Sequence, residues 1–250
     1  MNSYKNIKAV FFDVGNTLLF FNMRQVQNCL RENGYRIPLE KLHFAEGRSK
    51  EKVDALVLEK SALLNDRHRA ILYYKEMLNH LTQISDGELL FIARQLRRMD
   101  KTEGLWNAMM PGTKQVLRAL KKQGYALGVI SNSDGRVGRL LDENKLTPFF
   151  EIIVDSAKLG IEKPDPRIFH HACAALNIHP RRALYVGDFY SIDVLGAKSA
   201  GLNPILLQPR PYYRHPRCKT IRALAEIPSI LQSSLLYKTS QKKYDGKNLC

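Results

Sequence analysis

The chain has 250 residues, 44% hydrophobic and 25% charged, with 39 Lys plus Arg against 24 Asp plus Glu, a formal charge of +15. That balance excludes a disordered chain or a disulfide-stapled mini-protein, and no run reaches the roughly 18 apolar residues of a membrane span. The positive excess suits an anionic partner such as a phosphorylated metabolite, a nucleic acid or an acidic surface. Cys29, Cys173, Cys218 and Cys250 form no CxxC pair, and read as reduced thiols in a cytoplasmic protein. The start of the chain does not read as a signal peptide, because Asp13 interrupts its most apolar run.

Residues 7–12, IKAVFF, predict a buried strand that delivers a polar loop at Asp13, Gly15 and Asn16. Residues 20–107 change character. Val53, Leu56, Val57 and Leu58 form one helical stripe. Ile71, Leu72, Lys75 and Leu78 form a second, and Leu89, Leu90, Ile92 and Leu96 a third. Few strand runs occur there, which predicts a helical insertion. Gly104 and the turn at Met110–Gly112 end it.

Helices and strands then alternate. Helical spacing runs over 113–123 and stops at Gly124, and a strand is expected over 125–131. A helix over 136–146 precedes a strand over 150–155. Pro164 and Pro166 open a helix over 167–176, before a strand over 183–188. Ile192, Leu195 and Ala200 mark a last helix, before a strand over 203–208. Such alternation predicts βαβ units. The expected fold is α/β: a Rossmann-like doubly wound parallel sheet of five or more strands with an inserted α-helical cap. The core would comprise 1–19 and 108–232 and the cap 20–107, with 233–250 as a mobile basic tail.

In an open α/β sheet, ligands bind beyond the carboxyl ends of the strands. Asp13, Ser131 with Asn132, and Asp188 end three of the predicted strands; Asp193 follows five residues after Asp188, and Lys163 sits in the loop EKPDP. Three carboxylates close together repel unless a positive group lies among them. Oxygen ligands without His or Cys suit a hard cation, Mg2+ above all. Carboxylate-held cation, lysine and hydroxyl together make a phosphate site, in which an aspartate can attack phosphorus. A helix N-terminus near Asn132–Gly135 is expected to add backbone donors.

Four segments then carry a definite resemblance. Asp13-Val14-Gly15-Asn16-Thr17-Leu18, VISNS with Ser131, Lys163-Pro164-Asp165-Pro166, and Gly187-Asp188 with Asp193 stand in this order over residues 7–208. In these the chain resembles the haloacid dehalogenase superfamily of hydrolases, subfamily I type, whose helical cap lies between the first and second motifs. The resemblance implies Asp13 as nucleophile and Mg2+ ligand, with the Gly15 carbonyl and Asp188 as further ligands and Asp193 ligating directly or through water. It implies Ser131 on a phosphoryl oxygen, and Lys163 paired with both nucleophile and phosphate. Asn132 is placed beside them at the substrate.

The first motif departs from the family pattern at Gly15, where phosphatases carry the aspartate that protonates the leaving group. Asn16 replaces the motif glycine, and Asn tolerates positive φ. Three readings follow. The first is a phosphatase of small phosphate monoesters with a good leaving group or an acid from elsewhere, His43 and Glu46 being cap candidates. The second is a metal-independent dehalogenase-type hydrolase, against which the Asp188/Asp193 pair argues. The third is a low-turnover protein that binds a phosphorylated ligand or a partner. Arg24, Arg31, Arg36, Arg48, Lys50, Lys52, Arg67, Arg69, Arg94, Arg97 and Arg98 of the cap read as the wet faces of helices, with none singled out for specificity. Phe20, Phe21 and Phe44 read as cap core before base-stacking residues. The expected partner is a small phosphorylated metabolite; no nucleic-acid module and no membrane segment is read from the sequence.

Overall fold

The computed structural model describes residues 4, 6–59, 66–81, 84–102, 104–210 and 217–232. The expected tail at 233–250, with Cys250, lies outside them. The elements run β1 (Ala9–Phe12), β2 (Phe20–Phe21), α1 (Met23–Glu32), α2 (Leu39–Glu59), α3 (Asp66–Asn79), α4 (Asp86–Thr102) and β3 (Trp106–Ala108). They continue α5 (Thr113–Lys122), β4 (Ala126–Ser131), α6 (Val137–Glu143), β5 (Ile152–Asp155), α7 (Ser156–Leu159) and α8 (Pro166–Ala175). Then follow β6 (Ala183–Gly187), α9 (Leu195–Ser199), β7 (Asn203–Leu207) and β8 (Lys219–Ile221).

Six parallel strands form one sheet in the order β5-β4-β1-β6-β7-β8. Successive side chains of a strand point to opposite faces, and β1 shows both faces covered. Val10 and Phe12 pack with Leu117 and Leu120 of α5 and Val137 and Leu141 of α6. Ala9 and Phe11 pack on the other side, with Ile168, Phe169 and Ala172 of α8 and Ala197 of α9. This double cover explains why the strands read as unbroken apolar runs. Strand order reverses at β1, so the crevice beyond its carboxyl end is the expected ligand position.

A separate hydrophobic cluster runs from Phe21 to Leu105 and is joined by Ile192. It is built by α1 to α4, with Val26 and Leu30, Leu42 and Val53, Tyr74 and Met77, and Ile92 and Leu96 facing inward. The short β2 and β3 pair antiparallel. That ribbon was not legible in the sequence, because two- and three-residue strands carry no periodicity. The sixth strand β8 escaped for the same reason. The helix expected through Ile192 divides into a π-helical turn, Tyr190–Val194, followed by α9. No helix among the described residues is long and apolar enough to cross a membrane.

Candidate active site

Three neighbouring strands end in one place. Asp13 follows β1, Ser131 closes β4 and Asp188 follows β6. The loop after Asp13 is tight: the Val14 carbonyl accepts from Leu18 N at 3.0 Å and Leu19 N at 2.9 Å, and Asn16 N donates to Leu19 O at 2.7 Å. Asn16 sits at φ +50°, the conformation its residue type tolerates. Ligand atoms of Asp13, Asp188 and Asp193 all lie within 4.8 Å of one another, and all three residues are buried. They thus gather in one pocket, as the sequence motifs required.

Buried carboxylates this close need compensating charge. Lys163 supplies part of it: its Nζ meets Asp13 Oδ1 at 2.7 Å, Asp193 Oδ1 at 2.8 Å and the Tyr185 hydroxyl at 2.8 Å. The other oxygen of Asp193 accepts the backbone N–H groups of Asp188, at 3.0 Å, and Phe189, at 2.9 Å. Burial pushes the Asp13 carboxyl up to about 6; the Lys163 charge opposes this and Asp193 adds to it. Burial likewise pushes Asp188 up to about 7 against the pull of a second lysine, Lys50. For Lys163, burial alone would lower the pKa, but two facing carboxylates raise it. Both shifts point upward for different reasons: for Lys163 two facing anions overcome burial, and for Asp13 burial overcomes the facing cation.

The glycine of the GD pair has a spatial reason. A Cβ on Gly187 would stand 2.4 Å from Asp193 Cγ, inside any real contact distance. We therefore expect Gly187→Ala to destabilise the protein by about 1–3 kcal/mol, the cost of overpacking. It should also displace Asp193 from Lys163, lowering activity in the fraction that stays folded. Denaturant titration with activity normalised to folded protein checks this; unchanged stability would mean the loop yields.

Other predicted residues land differently. The side-chain amide of Asn132 accepts from Lys163 N at 2.8 Å and donates to Lys163 O at 2.9 Å, so it positions the lysine, while the residue itself lines the cavity. Helix α6 starts at Val137, not near Asn132–Gly135, and the Val137 N–H is already bonded to Asp155 at 3.3 Å. Val137 lines the cavity, but its N–H is thus committed to Asp155. Ser131 is buried and lines the same cavity as Asp13 and Lys163. A Cβ on Gly15 would lie 3.5 Å from the Trp106 ring, an ordinary contact, so space alone does not demand glycine there. Glu46 does come to the first motif, where its Oε1 accepts from Asn16 Nδ2 at 3.0 Å and the Tyr73 hydroxyl at 2.7 Å. His43 is half-buried, with burial and then Arg210 lowering its pKa, and is not among the cavity-lining residues. Phe21 is in the cap core, Phe20 packs against the sheet core and Phe44 is exposed.

Sequence reasoning read Lys50 and Arg69 as solvated cap cations, whereas both are buried, and it passed over Asp54. Glu46, Lys50 and Asp54 are all buried on α2 at four-residue steps, which places them along one side of the helix. Lys50 Nζ is 2.7 Å from Asp188 Oδ2. Asp54 Oδ1 accepts from Ser191 N at 2.8 Å and from the Ser191 hydroxyl. Charge alone could not separate Lys50 from its solvated neighbours Arg48 and Lys52. The four-residue repeat of polar residues between Leu42 and Val57 was the available signal.

The cavity above the carboxylates measures about 190 Å³. Tyr73 and Trp106 line its cap side, together with Arg69, Arg97 and Asp100, and Arg136 comes from the core. Asp100 is buried and pairs with Arg97 at 2.7 Å. The donor set of the carboxylate cluster is oxygen only, which is hard-cation chemistry. Asp13, Asp188, Asp193 and Glu46 against Lys163 and Lys50 also leave an excess of carboxylates over ammonium groups. On both counts the residues fit a divalent cation such as Mg2+.

The family model described as haloacid dehalogenase-like hydrolase matches residues 7–201. Glyceraldehyde 3-phosphate phosphatase of Methanothermobacter thermautotrophicus is 30% identical over 205 residues, covering 80% of this chain and 85% of that protein. Haloacid dehalogenase-like hydrolase domain-containing protein 3 of Bos taurus is 34% identical over 134 residues, covering 53% of each chain. The chain thus spans about half the length of such animal relatives. Among solved structures, the HAD-hydrolase YfnB of Bacillus subtilis, bound to magnesium, shares the fold at a TM-score of 0.66 and 18% identity, over 91% of this chain and 99% of its own.

Proposed function

The chain belongs to the haloacid dehalogenase-like hydrolase family, and from that premise we propose that it is an Mg2+-dependent phosphatase of small phosphate monoesters, working through an aspartyl-phosphate at Asp13. The observation that carries this reading is the contact of Asp13 with Lys163 beside Asp188, at the end of one small cavity. Archaeal glyceraldehyde 3-phosphate phosphatases among the relatives support the reaction class, and magnesium bound in YfnB supports the cofactor.

In this reading an Asp13 oxygen attacks phosphorus, the new O–P bond forms and the ester O–P bond breaks. The leaving oxygen takes a proton from solvent, and water then attacks the acyl phosphorus, giving up a proton to solvent as the acyl O–P bond breaks, which releases phosphate and restores the carboxylate. Lys163 and Ser131 hold phosphoryl oxygens. Mg2+, when bound, would neutralise phosphoryl charge. Asp13, Asp188 and the Gly15 carbonyl would hold it, while Asp193 would act through water and by fixing Lys163. The alcohol part of the substrate would lie between Tyr73, Trp106 and the Asp100–Arg97 pair. Docking of the 20–107 cap onto the core would exclude water from the first step.

Phosphate release from p-nitrophenyl phosphate, glyceraldehyde 3-phosphate and a metabolite panel tests the reading. Release with Mg2+ that stops in EDTA is expected. No release from any ester would overturn it in favour of a binding protein, and metal-free chloride release from haloacids in favour of a dehalogenase.

Gly15 cannot transfer a proton, so leaving groups that need one should react slowly. Gly15→Asp is expected to raise turnover on alkyl phosphates by up to about 10²-fold, and much less on p-nitrophenyl phosphate. The ratio of the two rates is the measurement. An unchanged ratio would mean that another acid serves, or that the carboxylate is held away by Trp106.

A further inference from the structure

The cap reaches the carboxylate cluster through one side of α2, at three points. Glu46 accepts from Asn16 of the first-motif loop, Asp54 from Ser191 just after the fourth motif, and between them the Lys50 ammonium lies 2.7 Å from Asp188 Oδ2 and 3.3 Å from Glu46 Oε1. Lys50 is 2% exposed. Its charge therefore sits at the carboxylate that, in the reading above, holds the divalent ion. An ammonium and a divalent cation on the same buried carboxylate repel each other strongly at low effective dielectric.

Resting on that reading, we propose that Lys50 is a tethered competitor of the divalent cation at Asp188, so that docking of the cap and binding of the metal oppose each other. Linkage makes this reciprocal: docking weakens metal binding by the same factor by which metal binding weakens docking. Lys50 is thus a positioning residue. Once displaced from Asp188, its ammonium becomes available to an incoming phosphate, and the contacts of Glu46 with Asn16 and of Asp54 with Ser191 hold α2 in the docked position.

The test uses the full chain and Mn2+ alone, with binding followed by electron paramagnetic resonance and calorimetry. Lys50→Met should bind Mn2+ at least about tenfold more tightly than wild type, within the usual range of coupling between sites. Lys50→Arg, which keeps the charge, should show no gain. Ser191→Ala, which loosens the Asp54 anchor and leaves every carboxylate in place, should show a smaller gain and covers the case in which Lys50→Met does not fold. Small-angle scattering gives a second readout: Mn2+ should expand wild type more than Lys50→Met. Equal or weaker binding by Lys50→Met and Ser191→Ala, with wild-type binding measurable, would overturn the proposal and leave the phosphatase reading standing. Binding that survives Asp188→Asn in the Lys50→Met background would place the ion elsewhere and also overturn it. Absence of binding in every variant, wild type included, would remove the metal-dependent reading itself.

Discussion

Asp13→Asn is expected to reduce phosphate release on the order of 10⁴-fold or more, the scale of losing a nucleophile, while the protein stays folded. Asparagine keeps the shape of the side chain but cannot form the acyl phosphate. The effect on stability should be small because two changes oppose each other. Lys163 loses one of two anionic partners but keeps Asp193 at 2.8 Å and Tyr185 at 2.8 Å. At the same time, a buried carboxyl whose desolvation raises its pKa to about 6 is replaced by a neutral amide. The net change should lie within about 2 kcal/mol. Kinetics on the substrate panel and thermal denaturation measure the two quantities separately. Retention of a few per cent of wild-type activity would exclude Asp13 as the nucleophile.

Lys163→Met should cost both activity and stability. Its ammonium is the shared partner of Asp13 and Asp193, it is 2% exposed, and the Asn132 amide fixes its backbone on both sides. Without it, two buried carboxylates face each other with no charge between them. Breaking such a pair costs about 3–5 kcal/mol, and loss of a preorganised charge at the reacting phosphoryl group costs about 10²–10³-fold in rate. Methionine keeps most of the side-chain volume, so the stability loss reports charge rather than a void. A double-mutant cycle with Asp13→Asn sharpens the result. Once Asp13 is neutral, removing the ammonium should destabilise the fold less than it does in wild type. Additive free energies would mean that the 2.7 Å contact carries no net energy.

Local signals account for what was legible in advance. The strands of the core are covered on both faces, so they appear in the sequence as short apolar runs that end abruptly in polar residues. Asp13, Ser131 and Asp188 are those ends, and their assembly follows from parallel strands pointing one way. Gly187 and Asp193 belong to the same motif because a side chain at 187 would collide with Asp193. Gly187 and Asp193 are near in chain and in space alike, whereas the three strand ends are far apart in the chain and are gathered by the common direction of the parallel strands.

Contacts between segments far apart in the chain belong to the tertiary structure alone. Whether Lys50 meets water or Asp188 depends on how α2 lies across the core, 138 residues away in number and 2.7 Å away in space, and no local pattern encodes that angle. The same holds for Asn132, whose amide could have faced a ligand but closes on the Lys163 backbone, and for Trp106, brought over Gly15 by a three-residue strand. Periodicity reports which face of an element is buried. What lies against that face is decided by packing and by the need to pair every buried charge.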